Sequence, residues 1–440
     1  MSPSHKLSLF SAILININIM LGSGIFINTA ILTKQSGSLG AAVYLLVGLL
    51  LLPLIIAIGQ LLHYHHESGT FYDFGRSVSP FIGFLSSWSY FTAKLSSAAL
   101  GVHVCLSFLQ QVVPALQSIP ILYFDGVVIA FFALLNLLNL RIGKGIQYSF
   151  IGIKLIPIFF AIFAGLYLFN GAHFTPDTFI WTGVPISVPL VLYAFSGFEA
   201  SCSLSTRIVD SHKNGPRAIF ISYGIVVAIV FLYQFLFYGS LGTMLGALPK
   251  GYLDAFPALL ERMAVQPLVL KNKLLALLHI AIASSSLGAS YGIMYSNGWN
   301  LYTLAHNNHT FGRKFFTTLN ASGVPFGCFL AEGLIAIIYL VITQGSQVPL
   351  QQVSALGGII AYTLSSIALL VITYRAKKSP FIPILSLLSC SLLIGAFIWA
   401  IISKGPTLML ATFIALLIFG SYMFFRKHEP HGKLEVFEEL

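Results

Sequence analysis

Twelve apolar runs follow one another along this chain, each close to the roughly 20 residues a helix needs to cross a bilayer, with only short polar joints between them. They fall at 8–33, 39–62, 80–113, 121–138, 145–169 and 185–206, then at 218–243, 273–304, 325–343, 351–374, 380–403 and 405–425. In hydrocarbon every backbone amide and carbonyl needs an internal partner, which leaves the helix as the form for such runs. Only 8% of the 440 residues are charged, too few to cover a soluble domain. The expectation is an all-α polytopic membrane protein with 12 transmembrane helices. The runs 80–113 and 273–304 exceed the bilayer thickness, so those helices should tilt or project.

The joints carry the charge. Lys and Arg number fifteen on the side of the N-terminus and six on the other, which places both termini in the cytoplasm of an integral, multi-pass cell-membrane protein. The formal charge of +10 does not read as a nucleic-acid surface, because the basic residues are scattered among short loops. The longest outer stretch is 244–272, with Pro249, Gly251 and Pro257 as turn residues, and the tail from His428 to Leu440 ends in acids. The first run lacks a small-residue cleavage site and reads as a helix that stays. Cys105, Cys202, Cys328 and Cys390 lie in apolar runs without ligand spacing, and His63, His65 and His66 read as an interfacial patch. A Gly-x-x-x-x-Gly-Lys-Ser/Thr loop, an activated serine and a His-rich metal motif are all missing from the sequence. Neither an enzyme nor a nucleotide-driven pump is expected, and no cofactor or metal is called for. Any work done must draw on a gradient or on exchange.

Two runs are interrupted. Gly22 and Gly24 sit midway along the first, where each glycine costs roughly 1 kcal/mol relative to alanine. Either they let a neighbouring helix approach closely, or they mark a broken helix whose dipole end meets a ligand. The sixth run holds Ser196-Gly197-Phe198-Glu199, and a carboxylate at that depth costs at least about 2.5 kcal/mol unless it meets a partner or a cavity. Runs one and six open two halves of five helices, 1–5 and 6–10. Matching interruptions in two halves point to a central transport site, which favours the ligand reading. Glu199 can serve that site or form a structural ion pair.

Gly22-Ser23-Gly24-Ile25-Phe26 and Ser196-Gly197-Phe198-Glu199 resemble the two broken helices of the amino acid–polyamine–organocation (APC) permeases. Further resemblances run in order: Ser68-Gly69-Thr70-Phe71-Tyr72-Asp73-Phe74 after run two, Pro216-Arg217-Ala218-Ile219 before run seven, Leu301-Tyr302 with Ala305, and Gly323-Val324-Pro325. Thr70, Thr206-Arg207, Ser211 and Trp299 depart from the family pattern, all on the inner side. The resemblance implies a LeuT-like 5+5 inverted repeat, about 8–169 and 185–374, plus two C-terminal helices at about 380–425, in one transmembrane domain. It implies a secondary active transporter of amino acids. Amides near Ser23, Gly24 and Ile25 would then hold a substrate carboxylate and carbonyls near Tyr193, Phe195 and Ser196 its ammonium, with Ile19, Gly22 and Gly197 in the same site. Phe195 or Phe198 would close over the substrate side chain.

Lys154 lies about ten residues beyond Lys144, roughly 15 Å at the helical rise, which puts it near the midplane. Two readings stand: a lysine that snorkels, or an amine that loses and regains a proton during a cycle. Its position resembles a lysine of proton-coupled APC members, with Ser284, Ser285 and Ser286 close to the same space. Symport with protons and exchange with a counter-substrate both stay open. Lys94 is a second buried cation, to be paired with Glu199 or Glu332 or turned to the substrate path. His103 and His279 read as satisfied polar residues. An alternative substrate is a polyamine or basic amino acid, for which Glu199, Glu332 and Asp125 are the acids within the helices. A transport-inactive sensor or partner subunit is the reading from a different class.

Overall fold

A computed structural model describes residues 6–65, 70–138 and 140–428, except the side chains of 140–149, 151, 203 and 206. His66, Ser68, Gly69 and the acidic tail lie outside the described residues, as do the side chains of Lys144 and Thr206. The first half comprises α1 (Leu9–Met20), α2 (Gly24–Ser36), α3 (Gly40–Tyr64), α4 (Phe71–Arg76), α5 (Pro80–Val112), α6 (Ile121–Leu135) and α7 (Leu140–Leu168). The rest comprises α8 (Gly183–Phe195), α9 (Ala200–Ser203), α10 (Ser211–Leu241), α11 (Ala255–Arg262), α12 (Leu268–His306), α13 (Arg313–Thr317), α14 (Phe326–Thr343), α15 (Gln347–Arg375), α16 (Phe381–Lys404) and α17 (Leu408–His428). Among the described residues the only strand-like pairings are isolated bridges.

Every apolar run contains helix. Among the described residues nine helical stretches, Gly183–Cys202 through α8 and into α9 being one of them, have the length and hydropathy of a span, and the α1–α2 pair, bent by 40°, makes a tenth. Helix α6 and the apolar part of α7, Gly152–Leu168, are shorter. The two long runs give long helices: α5 has 33 residues and α12 has 39, the latter close to 60 Å at 1.5 Å per residue.

Helix α5 is the axis of the bundle, buried along most of its length between α12 and α15. Its small residues permit that approach. Ser96 donates to the carbonyl of Leu350 at 2.9 Å, and Ser97 shares a hydrogen bond with Ser354, both on α15. Hydroxyls of this kind satisfy polar atoms where water is absent.

Three joints are more ordered than their composition suggests. The joint after run two folds as α4, started by a capping box between Thr70 and Asp73, and buries Phe71 to Gly75 against α5. Pro216-Arg217 sits within α10 rather than at the end of a loop, because that helix already begins at Ser211. The stretch 244–272 holds α11 and two 3-10 turns, with Leu245, Phe256, Leu259 and Leu260 buried. The chain ahead of α1 is held at Leu7: its amide donates to the Arg207 carbonyl at 2.7 Å, and the Val209 amide donates to the Leu7 carbonyl at 2.9 Å.

Candidate substrate site

Helix α1 stops at Met20 and α2 starts at Gly24, so the first run is two helices joined by Leu21-Gly22-Ser23. A helix end leaves its last carbonyls and the next helix's first amides without intrahelical partners. The carbonyl end of α1 is answered by Lys154 on α7, whose Nζ donates to the carbonyl oxygens of Asn18 at 2.6 Å and Leu21 at 2.8 Å. Ser285 on α12 adds a hydroxyl donor to Leu21 O at 3.1 Å. An ammonium at a helix C-terminus is where the dipole favours positive charge. Lys154 is fully buried and meets no carboxylate among the described residues. The opposite end differs: no side chain caps the first amides of α2.

The sixth run breaks at 196–199, between α8 and α9. Gly197 takes φ +125°, a conformation that glycine adopts at little cost. A Cβ there would also meet Ile19 Cγ2 at 2.6 Å and Met20 N at 3.1 Å. The two breaks are therefore in direct contact. They are also bonded, since Ser23 Oγ and the Tyr193 hydroxyl lie 2.8 Å apart. The carbonyl of Tyr193 is occupied by the Ser196 amide at 3.1 Å and the Ser196 hydroxyl at 2.7 Å.

Glu199 is an ion-pair partner. Its Oε1 lies 2.7 Å from Lys94 Nζ and accepts from the Tyr90 hydroxyl at 2.9 Å, while Oε2 accepts from the Gly197 amide at 2.9 Å. This settles the open pairing of Lys94, which goes to Glu199 and not to Glu332. Asp125 is likewise engaged, 2.8 Å from His103 Nδ1. Glu332 is buried on α14.

A cavity of about 20 Å³ lies at the two breaks, room for about one water. The expected residues Ile19, Gly22, Ser23, Gly24, Tyr193 and Ser196 line it. Ile25, Gly197, Phe195 and Phe198 do not. Phe195 turns its ring to Tyr44 and Tyr223, at 5.8 and 5.6 Å, and Phe198 packs on Tyr362 at 5.5 Å. With Phe71, which lies 4.6 Å from the Tyr90 ring and 6.2 Å from that of Tyr362, these aromatics form a layer beside the Glu199 network.

Five lining residues escape a reading by motif: Ser97 and Gly101 on α5, and Ala289, Ser290 and Ile293 on α12. Helical spacing offered the signal. Ser290 stands four residues after Ser286, on the same face, and both of those hydroxyls are without a hydrogen-bond partner. Tyr90 could be found the same way, four residues before Lys94.

Two interrupted helices meeting at a small polar cavity, within an otherwise apolar bundle, define an integral membrane protein built around a buried site. Residues 7–425 match the amino acid permease family, and the chain belongs to it, within the APC superfamily. A histidine permease of Lactococcus lactis is 24% identical, the match covering 84% of this chain and 83% of the relative. An aromatic amino acid transport protein of Escherichia coli is 21% identical over 79% of this chain and 75% of the relative. A lysine-specific permease of Lactococcus lactis is 23% identical over 84% of this chain and 78% of its own length.

Proposed function

We propose that this chain is a secondary active transporter of amino acids, built as twelve spans in a LeuT-like inverted repeat with two added helices and working by alternating access. The observation that carries it is the contact between the two broken helices, with the carbonyl end of one held by the Lys154 ammonium. Ser23, Gly24 and Ile25 offer uncapped amides at the positive end of α2 to a substrate carboxylate. Ser196 and the adjoining carbonyls receive the ammonium. At about 20 Å³ the cavity is far below substrate volume, so binding requires the helices around it to part.

The lining beyond the breaks is small and uncharged: Ser97, Gly101, Ala289, Ser290 and Ile293. Such walls suit a neutral amino acid. A polyamine or basic amino acid would need a carboxylate, and none lines the cavity, because Glu199 is engaged by Lys94. The names of relatives, including a lysine-specific permease, keep cationic amino acids in the screen.

Lys154 is assigned the coupling role, its amine exchanging a proton as the carbonyls of Asn18 and Leu21 move. Uptake of labelled amino acids by proteoliposomes, screened across all side-chain classes with and without an inward proton gradient, tests the proposal. Saturable uptake of neutral amino acids is expected. Binding without flux would favour a sensor, and no saturable transport of any amino acid or amine would end the reading.

A further inference from the structure

At the end of the bundle where α10 begins, a groove of about 750 Å³ opens between α3, α10 and α16. Its walls are apolar: Ile56 on α3, Phe220 on α10, and Phe381 and Ile382 on α16. Phe220 is 38% exposed and Phe381 65%, so the walls open sideways toward the surface that hydrocarbon would cover. Gly59 keeps the groove open on its α3 side, since a Cβ there would meet the Phe220 ring at 3.3 Å.

The rim has the opposite character. Lys213, Arg217 and Lys378 line it, all exposed, and none meets a carboxylate among the described residues. Lys378 donates to the Tyr64 hydroxyl at 3.0 Å, which holds its ammonium at the mouth. His63 and His212 add two imidazoles, 6.3 Å apart between ring centroids. Among the described residues no Asp or Glu lines the groove; Asp210, the N-cap of α10, is close along the chain but outside the lining. The N-termini of α10 and α16 both open here; no side chain caps α10, while at α16 the Phe381 amide donates to Ser379 Oγ at 3.4 Å. Two positive dipole ends therefore join three cations, of which Lys378 is held by Tyr64.

We propose that this groove is a binding site for an anionic phospholipid of the adjoining leaflet, distinct from the transport cavity. Lys213, Arg217 and Lys378 hold the headgroup phosphate, and the apolar walls take the first acyl carbons. Basic pockets between spanning helices suit such headgroups, at about fivefold in affinity for each Lys or Arg near the surface. A free anion would use the rim and gain nothing from the walls. A zwitterionic lipid would use the walls and gain little from the rim.

The experiment is lipid binding to the purified full chain, by native mass spectrometry, with phosphatidylglycerol and phosphatidylcholine of the same acyl chains. Phosphatidylglycerol is expected to bind selectively, to lose about fivefold with Arg217→Gln, and to lose selectivity with Lys213, Arg217 and Lys378 all changed to Gln. Lys213→Arg and Lys378→Arg are expected to keep it. Gly59→Leu is expected to weaken the lipid while leaving the rim charges in place. Equal binding of both lipids, or selectivity surviving the triple change, overturns the proposal. So does competition by glycerol phosphate as effective as that of the lipid, which would make the rim a free-anion site. If the triple variant does not fold, Arg217→Gln alone decides by the same fivefold criterion. None of these readouts requires transport.

Discussion

Lys94 Nζ and Glu199 Oε1 meet at 2.7 Å, with 3% of the lysine side chain and none of the glutamate exposed. An ion pair out of water gains little over a well-packed apolar pair, but removing one partner strands the other charge at roughly 3–5 kcal/mol. Glu199→Gln or Lys94→Met alone should therefore lower the detergent-solubilised unfolding temperature sharply. The double change should recover much of the loss, and Tyr90→Phe should cost nearer 1 kcal/mol. Losses that simply add in the double variant would mean that the two side chains act independently.

The breaks themselves permit almost no added volume. A Cβ at Gly24 would meet Ala194 Cα at 3.0 Å and Tyr193 Cε1 at 3.2 Å, pushing α2 off α8. Gly24→Val should abolish uptake of every substrate alike. Gly197→Ala combines an unfavourable φ with a clash against Ile19, and should cut uptake at least tenfold. Ser97→Ala and Ser290→Ala, in contrast, should reorder substrate preference with uptake retained. The check is a competition panel in proteoliposomes, with gel filtration confirming that each variant folds. Substrate-selective loss in Gly24→Val would move that residue from the shared cradle to the specificity wall.

Much of this architecture is legible in the sequence. The breaks announced themselves because glycine and a carboxylate are costly at membrane depth, and Lys154 because its distance from the joint fixes its depth. Depth is all that such counting delivers. Rotation of a helix about its axis decides which side chains reach a cavity, and α5, with small or polar residues all around, carries no stripe that reveals it. The aromatics Phe195 and Phe198 looked suited to closing over a substrate because they neighbour the break, yet their rings point into the Tyr44, Tyr223 and Tyr362 layer. Phe71 was hidden for another reason. It belongs to a joint, and only the Thr70–Asp73 capping box turns that joint into a buried helix.

His309 supplies a pH dependence outside the spans. It follows α12, is 4% exposed, and bonds through Nε2 to the Tyr72 hydroxyl at 2.7 Å, tying the end of α12 to α4. Burial, and secondarily charge on His428, pushes its pKa down to about 4. A histidine depressed in the folded state is neutral there while the unfolded chain takes up protons near pH 6.5. Its contribution to stability is thus complete above about pH 6.5 and is lost as pH falls toward 4. Thermal unfolding across that window should show a falling midpoint, and His309→Gln should flatten the fall relative to the parent. An unchanged slope would assign the acid sensitivity to other groups.

Lys154 gives the most direct test of coupling. Its ammonium is a hydrogen-bond donor that joins the Asn18 and Leu21 carbonyls to α7, so losing the proton weakens this hold on the end of α1, and losing the side chain leaves Ser285 as the donor to Leu21. If that proton is the coupled one, Lys154→Ala should abolish the acid stimulation of uptake while exchange of internal for external amino acid persists at a reduced rate. Ser285→Ala removes a second donor to Leu21 without a titrating group, and should slow both modes while leaving the pH profile in place. Two readouts from one proteoliposome preparation separate the roles: the pH profile of net uptake and the rate of exchange at fixed pH. A Lys154→Ala protein with the full pH response would make the lysine a structural cap for α1, and coupling would then have to reside in another buried group.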